Sequence, residues 1–111
     1  DPREYGVIEG EAIERGLFQV ENIEEKPERP PSKLAVVPIY AFSPKIFHEL
    51  ARTKPGKGGE IQLTDAIQSL VSHHGKVYAV QLKRTEVKID IGNPETYWDA
   101  LKASYRQTLA K

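Results

Sequence analysis

The chain has 111 residues, 39% of them hydrophobic and 29% charged, with 16 basic and 16 acidic side chains and a formal net charge of +0. That length suits one domain with one core, burying roughly 65% of the surface the unfolded chain exposes. Zero net charge removes any general pull toward nucleic acid or an anionic membrane, and the lack of cysteine excludes disulfides, thiolate catalysis and cysteine-rich zinc sites.

Any anionic ligand must therefore be gripped locally by a few placed groups. The longest apolar stretch, residues 34–42, contains Pro38 and is too short to span a bilayer, and no signal peptide is visible. The expected location is cytoplasmic. The chain has no methionine and opens Asp1-Pro2-Arg3-Glu4, which reads as a piece of a longer product.

In chain order, Tyr5 to Glu9 reads as a short strand closed by Gly10. Leu17 to Glu24 alternates as a second strand, with the charged segment Glu11 to Gly16 as the hairpin connection between them. The run Pro27-Glu28-Arg29-Pro30-Pro31-Ser32 is a stiff loop, because proline fixes φ and removes a donor. Leu34 to Phe42 is a continuous apolar run expected to form a buried strand, with Pro38 marking a bulge or an edge.

Ser43-Pro44 supplies an N-cap and first helical residue for a helix whose apolar face is Ile46, Phe47, Leu50 and Ala51. A second helix is predicted from about Leu63 to His73 on the spacing of Leu63, Ala66, Ile67, Leu70 and Val71, with Gly75 as its stop. Val77 to Lys83 and Val87 to Ile91 read as two more strands. Asn93-Pro94-Glu95 opens a last helix whose buried stripe is Tyr97, Leu101, Tyr105 and Leu109. The expected fold class is α/β, and α+β over these residues, with a mixed sheet of about five strands and three helices.

Three clusters hold residues that can do chemistry. Asp90, between Ile89 and Ile91, needs a partner if it is buried, and a divalent cation, a helix N-terminus or a nearby lysine each provides one. Glu25 and Lys26 stand at a strand end, where one can reach a sugar hydroxyl and the other a phosphate; from these residues alone a solvated charge cluster is the better reading. Gly56-Lys57-Gly58-Gly59-Glu60 lacks the spacer and the Ser or Thr of a phosphate loop, and Glu60 would repel phosphate. His73 and His74 end a helix, where the dipole is sufficient explanation, and His48 is expected to be exposed.

Read in order, Tyr5-Gly6-Val7-Ile8-Glu9, Glu25-Lys26-Pro27, Leu34 to Tyr40, Gly59-Glu60-Ile61-Gln62-Leu63-Thr64-Asp65-Ala66-Ile67 and Asp90-Ile91-Gly92 resemble the C-terminal half of nucleoside-diphosphate-sugar pyrophosphorylases. The fourth string looks most like UTP–glucose-1-phosphate uridylyltransferases, with glucose-1-phosphate thymidylyltransferases as close relatives. The resemblance implies the C-terminal portion of a Rossmann-like nucleotidyltransferase fold, in which a sugar 1-phosphate attacks the α-phosphorus of a nucleoside triphosphate and releases pyrophosphate.

It further implies that Gly6, Glu25 and Tyr40 belong to the sugar site and that Lys26 sits by the sugar phosphate. Asp90 would be one of two aspartates that hold Mg²⁺. Pro38 departs from the glycine usual in relatives. The Gly-rich triphosphate loop, the base-binding residues and the first metal aspartate have no match here, so this chain alone is expected to be inactive. A non-catalytic sugar-phosphate-binding or assembly module is the competing expectation, with homo-oligomer formation through exposed strand edges left open.

Overall fold

The computed structural model describes residues 1–111. The chain divides into two compact units, Asp1–Gln81 and Leu82–Lys111. No helix is long and apolar enough to cross a membrane.

In the first unit, β1 (Gly6–Glu14) and β2 (Leu17–Glu25) form an antiparallel hairpin, and β3 (Tyr78–Val80) pairs with β2 to give a sheet of order β1-β2-β3. The hairpin is longer than its composition predicts. Pairing continues through Glu11↔Gln19, Ala12↔Phe18 and Glu14↔Leu17, so only Arg15 and Gly16 remain as the turn, with Gly16 at φ 81°. Ladder bonds are made by the backbone, so a charged segment can stay in a strand if its side chains face water. A bulge between Glu9 and Gly10 resets the register, and a Cβ on Gly10 would collide with the Gln19 carbonyl.

Two helices complete this unit: α1 (Lys45–Arg52) and α2 (Leu63–His74). Ile8, Val20 and Ile23 from the hairpin meet Ile46 of α1 and Ala66, Ile67 and Leu70 of α2 in one core, with Leu34, Val36 and Leu50 packed against it. Burying each large aliphatic contributes roughly 1.5–3 kcal/mol, so this layer is what holds the helices on the sheet. Gly75 ends α2 in the left-handed conformation at φ 64°, its N–H bonded to Val71 O, as its position in the sequence predicts.

The sheet has three strands rather than five. In the run from Leu34 only Ala35 forms a bridge, to Val7, flanked by Ile8 N–H to Leu34 O at 3.1 Å and Val36 N–H to Gly6 O at 2.8 Å. Pro38 then has no N–H to give, and Ile39 is 83% exposed. The expected strand from Val77 shrinks to Tyr78–Val80. The expected strand Val87 to Ile91 is absent, because a strand requires a neighbouring ladder and the second unit supplies only one helix, α3 (Pro94–Leu109).

That helix begins as its sequence dictates. Asn93 Oδ1 accepts from Thr96 N–H at 2.9 Å, and Asn93 N–H donates to Thr96 Oγ1 at 3.1 Å, a reciprocal cap with Pro94 in the first turn. The stripe Tyr97, Leu101, Tyr105 and Leu109 was expected to be buried and is not: the best covered of the four, Leu101, is 45% exposed. Helical periodicity defines a face but cannot supply the surface that covers it.

Candidate functional site

Glu25 is the last residue of β2 and pairs across the hairpin with Gly6, the first residue of β1. Its half-buried carboxylate accepts a 2.6 Å hydrogen bond at Oε2 from Thr64 Oγ1, in the first turn of α2. One helical turn later, Gln68 Oε1 accepts from Ile23 N–H at 2.7 Å. Residues four apart share a helix face, so α2 fastens the end of β2 at two points two residues apart.

Gly6 brings the backbone close to this carboxylate, with room for no more than a methyl group between them. A Cβ there would lie 3.4 Å from Glu25 Oε2, 3.6 Å from Thr64 Oγ1 and 3.7 Å from Val36 Cγ2. Tyr40 shares the neighbourhood, since burial and then the negative charge of Glu25 hold its phenol above the ordinary tyrosine range. Its ring stacks on Phe42, with centroids 5.3 Å apart. The sequence-predicted residues Gly6, Glu25 and Tyr40 are thus brought together.

Lys26 follows Glu25 with φ 44°, the only non-glycine residue at positive φ. Its N–H donates to Tyr5 O at 3.0 Å, and its carbonyl accepts from Lys57 Nζ. A lysine in this conformation costs on the order of 1 kcal/mol and persists where surrounding bonds impose it. The turn takes Lys26 out of the strand alternation, leaving its side chain exposed. Pro27, buried, follows it.

Asp90 belongs to the second unit. It is exposed, as are Ile89 and Ile91, so the burial that would have forced a partner on it does not hold. It lines a shallow cleft of about 250 Å³ with Val87, Lys88, Thr96 and Asp99. Asn93 takes the helix-capping role that Asp90 could have filled. No three His, Cys, Asp or Glu side chains cluster in a way that could enclose a metal. Asp90 fits a divalent cation only as a single carboxylate, the arrangement used where substrate phosphates and water fill the remaining positions.

Two residues have roles that the sequence does not assign. Thr64 lies in the Gln62-Leu63-Thr64-Asp65 string but drew no role, because nothing local links it to a carboxylate 39 positions away. Glu49 is 2% exposed and is held by Arg52 at 2.8 Å, His73 Nδ1 at 3.1 Å and His74 Nε2 at 3.6 Å. Burial pushes its carboxyl up, but hydrogen bonds from His73 and Arg52 and their charges outweigh this and hold it below the ordinary carboxylate range. The two histidines therefore do more than complement a helix dipole. The missed signal was spacing, since Glu49 shares a helix face with Ile46, Leu50 and Thr53.

The profile of the nucleotidyl transferase family matches residues 1–107. The chain belongs to that family. A UTP–glucose-1-phosphate uridylyltransferase of Pseudomonas aeruginosa is 40% identical over 107 residues, 95% of this chain and 37% of the relative. One from Streptococcus pyogenes is 41% identical over 97 residues, 84% of this chain and 31% of the relative. The crystal structure of a UDP-glucose pyrophosphorylase complexed with UDP-glucose superposes with a TM-score of 0.85 at 40% identity, over 95% of this chain and 40% of that one. This nucleotidyl transferase chain thus spans less than half the length of the relatives it matches.

Proposed function

We propose that this chain is the sugar-phosphate-binding part of a uridylyltransferase that forms UDP-glucose and pyrophosphate from UTP and glucose 1-phosphate. The observation that carries the reading is the half-buried Glu25 carboxylate, fixed by Thr64 at a strand end and paired across the hairpin with Gly6. It is supported by relatives named as UTP–glucose-1-phosphate uridylyltransferases at about 40% identity.

The chemistry suits these residue types. A carboxylate accepts hydrogen bonds from sugar hydroxyls, each contributing about 1.5–3 kcal/mol. Lys26, exposed and cationic, provides a countercharge for the sugar phosphate, whose oxygen is the nucleophile. Nucleotidyl transfer depends mainly on positioning and charge stabilisation, and no group in this site needs to form a covalent intermediate. Asp90 is the residue assigned to Mg²⁺, which when bound would offset negative charge on phosphate oxygens.

Titration calorimetry with glucose 1-phosphate and with UTP tests the reading. The expected result is saturable binding of glucose 1-phosphate that weakens in Glu25→Gln and Lys26→Ala. Binding of UTP alone, or a glucose 1-phosphate affinity indifferent to both substitutions, would overturn it.

A further inference from the structure

Glu25 ends a strand, and a glutamate there has three side-chain torsions that ligand binding would otherwise have to freeze. Thr64 removes much of that freedom beforehand. Its hydroxyl, in a residue only 6% exposed, lies 2.6 Å from Glu25 Oε2, closer than an ordinary neutral hydrogen bond. Threonine is branched at Cβ and stiff at χ1, so the donor itself has little freedom to wander.

The threonine is in turn anchored by its helix. Leu63, Ala66, Ile67 and Leu70 pack α2 onto the core, and Gln68 ties the same helix to the backbone two residues before Glu25. Thr64 also sits at the start of α2, where no helical carbonyl four residues earlier competes for its hydroxyl proton. The proton goes to Oε2, and a carboxylate has about four lone-pair positions over its two oxygens, so one hydroxyl donor does not exhaust its acceptor capacity.

We propose that Thr64 is a positioning residue for sugar recognition, presetting the Glu25 carboxylate so that it meets the ring hydroxyls of a hexose 1-phosphate. Thr64 acts through Glu25 and touches no reacting atom. The inference rests on the reading that Glu25 binds sugar hydroxyls, and it adds the device that makes this carboxylate selective. A group already fixed loses less entropy on binding, so the gain falls on the sugar and not on the phosphate.

The test is calorimetry on the chain with glucose 1-phosphate and, separately, with inorganic phosphate. Thr64→Val keeps the shape and removes the proton; it is expected to weaken glucose 1-phosphate about tenfold while leaving phosphate unchanged. Thr64→Ser restores the donor and is expected to recover most of the affinity. If Thr64→Val fails to fold, Thr64→Ala is read in the same way.

Equal losses for both ligands, or no recovery with serine, would mean a purely structural threonine and overturn the proposal. Weakened binding in Glu25→Gln with full affinity in Thr64→Val overturns the proposal and leaves the sugar reading intact. Full affinity in Glu25→Gln, or no binding of glucose 1-phosphate by the unsubstituted chain, overturns that reading and the proposal with it.

Discussion

Helix α2 holds a glutamate at each of its ends, and the two could hardly be treated more differently. At its start, Thr64 gives Glu25 a neutral donor, and the carboxylate stays half-buried beside Gly6. At its finish, His73 and His74 join Arg52 around Glu49, which is almost fully buried. A carboxylate whose acceptor positions are filled by the protein stabilises; one with positions to spare can serve a ligand. Residue type is the same in both places, and the difference lies in how many donors the neighbouring helix supplies.

The sharpest way to break this comparison is to substitute each glutamate in turn. Glu49→Gln is expected to lower the melting temperature by several degrees, since a buried network loses its charge, while glucose 1-phosphate binding of the folded protein is unchanged. Glu25→Ala is expected to act mainly on the ligand: a loss of about 1.5–3 kcal/mol in glucose 1-phosphate binding, with a smaller fall in thermal stability from the Thr64 hydroxyl left without its acceptor. If both substitutions lowered stability alike and neither affected the ligand, the two sites would be equivalent and the functional reading would fail.

Acid titration tests the Glu49 network directly. The Glu49 carboxyl is held below its usual range in the folded state, so the stability it contributes is present above the unfolded value of about 4.3 and is lost as pH falls through the lowered folded value. Denaturant unfolding measured across that window should show a fall in stability that Glu49→Gln flattens.

Gly6→Ala is a smaller perturbation. The new methyl would sit at ordinary contact distances from Glu25, Thr64 and Val36, so the protein should fold and unfold as before. The methyl occupies the space beside the carboxylate, and several-fold weaker binding of glucose 1-phosphate is expected by calorimetry. On stability alone, the smallest effect is expected for Lys26→Gly. Relief of the left-handed strain is offset by the greater freedom of glycine in the unfolded chain, leaving stability within about 1 kcal/mol in denaturant titration.

Elements whose signals are local were legible from the residues alone. Asn93-Pro94 starts a helix because its cap bonds lie within four residues, and Gly75 stops one because only backbone torsion is at issue. The helical stripe of α2 was correctly read because burial and periodicity agree there. The strands at Leu34 to Phe42 and Val87 to Ile91 were over-read, since apolar composition does not reveal whether a partner ladder exists. Candidate site residues followed the same rule: Glu25 and Gly6 stand out within short motifs, whereas Thr64 acquires meaning only through its contact with β2.

What this sequence determines by itself is the start of α3, the stop of α2 and its membership of the nucleotidyl transferase family, because torsional preference, capping and motif order act over short stretches of chain. The expected Ser43 cap of α1 does not form, and Pro44 precedes that helix without a side-chain cap bond. Only the tertiary structure decided that Glu49 is a buried strut, that Thr64 holds Glu25, and that Ile39 and the apolar stripe of α3 are exposed. Burial and hydrogen-bond partnership depend on which distant segments arrive beside a residue, and a linear pattern carries no record of that.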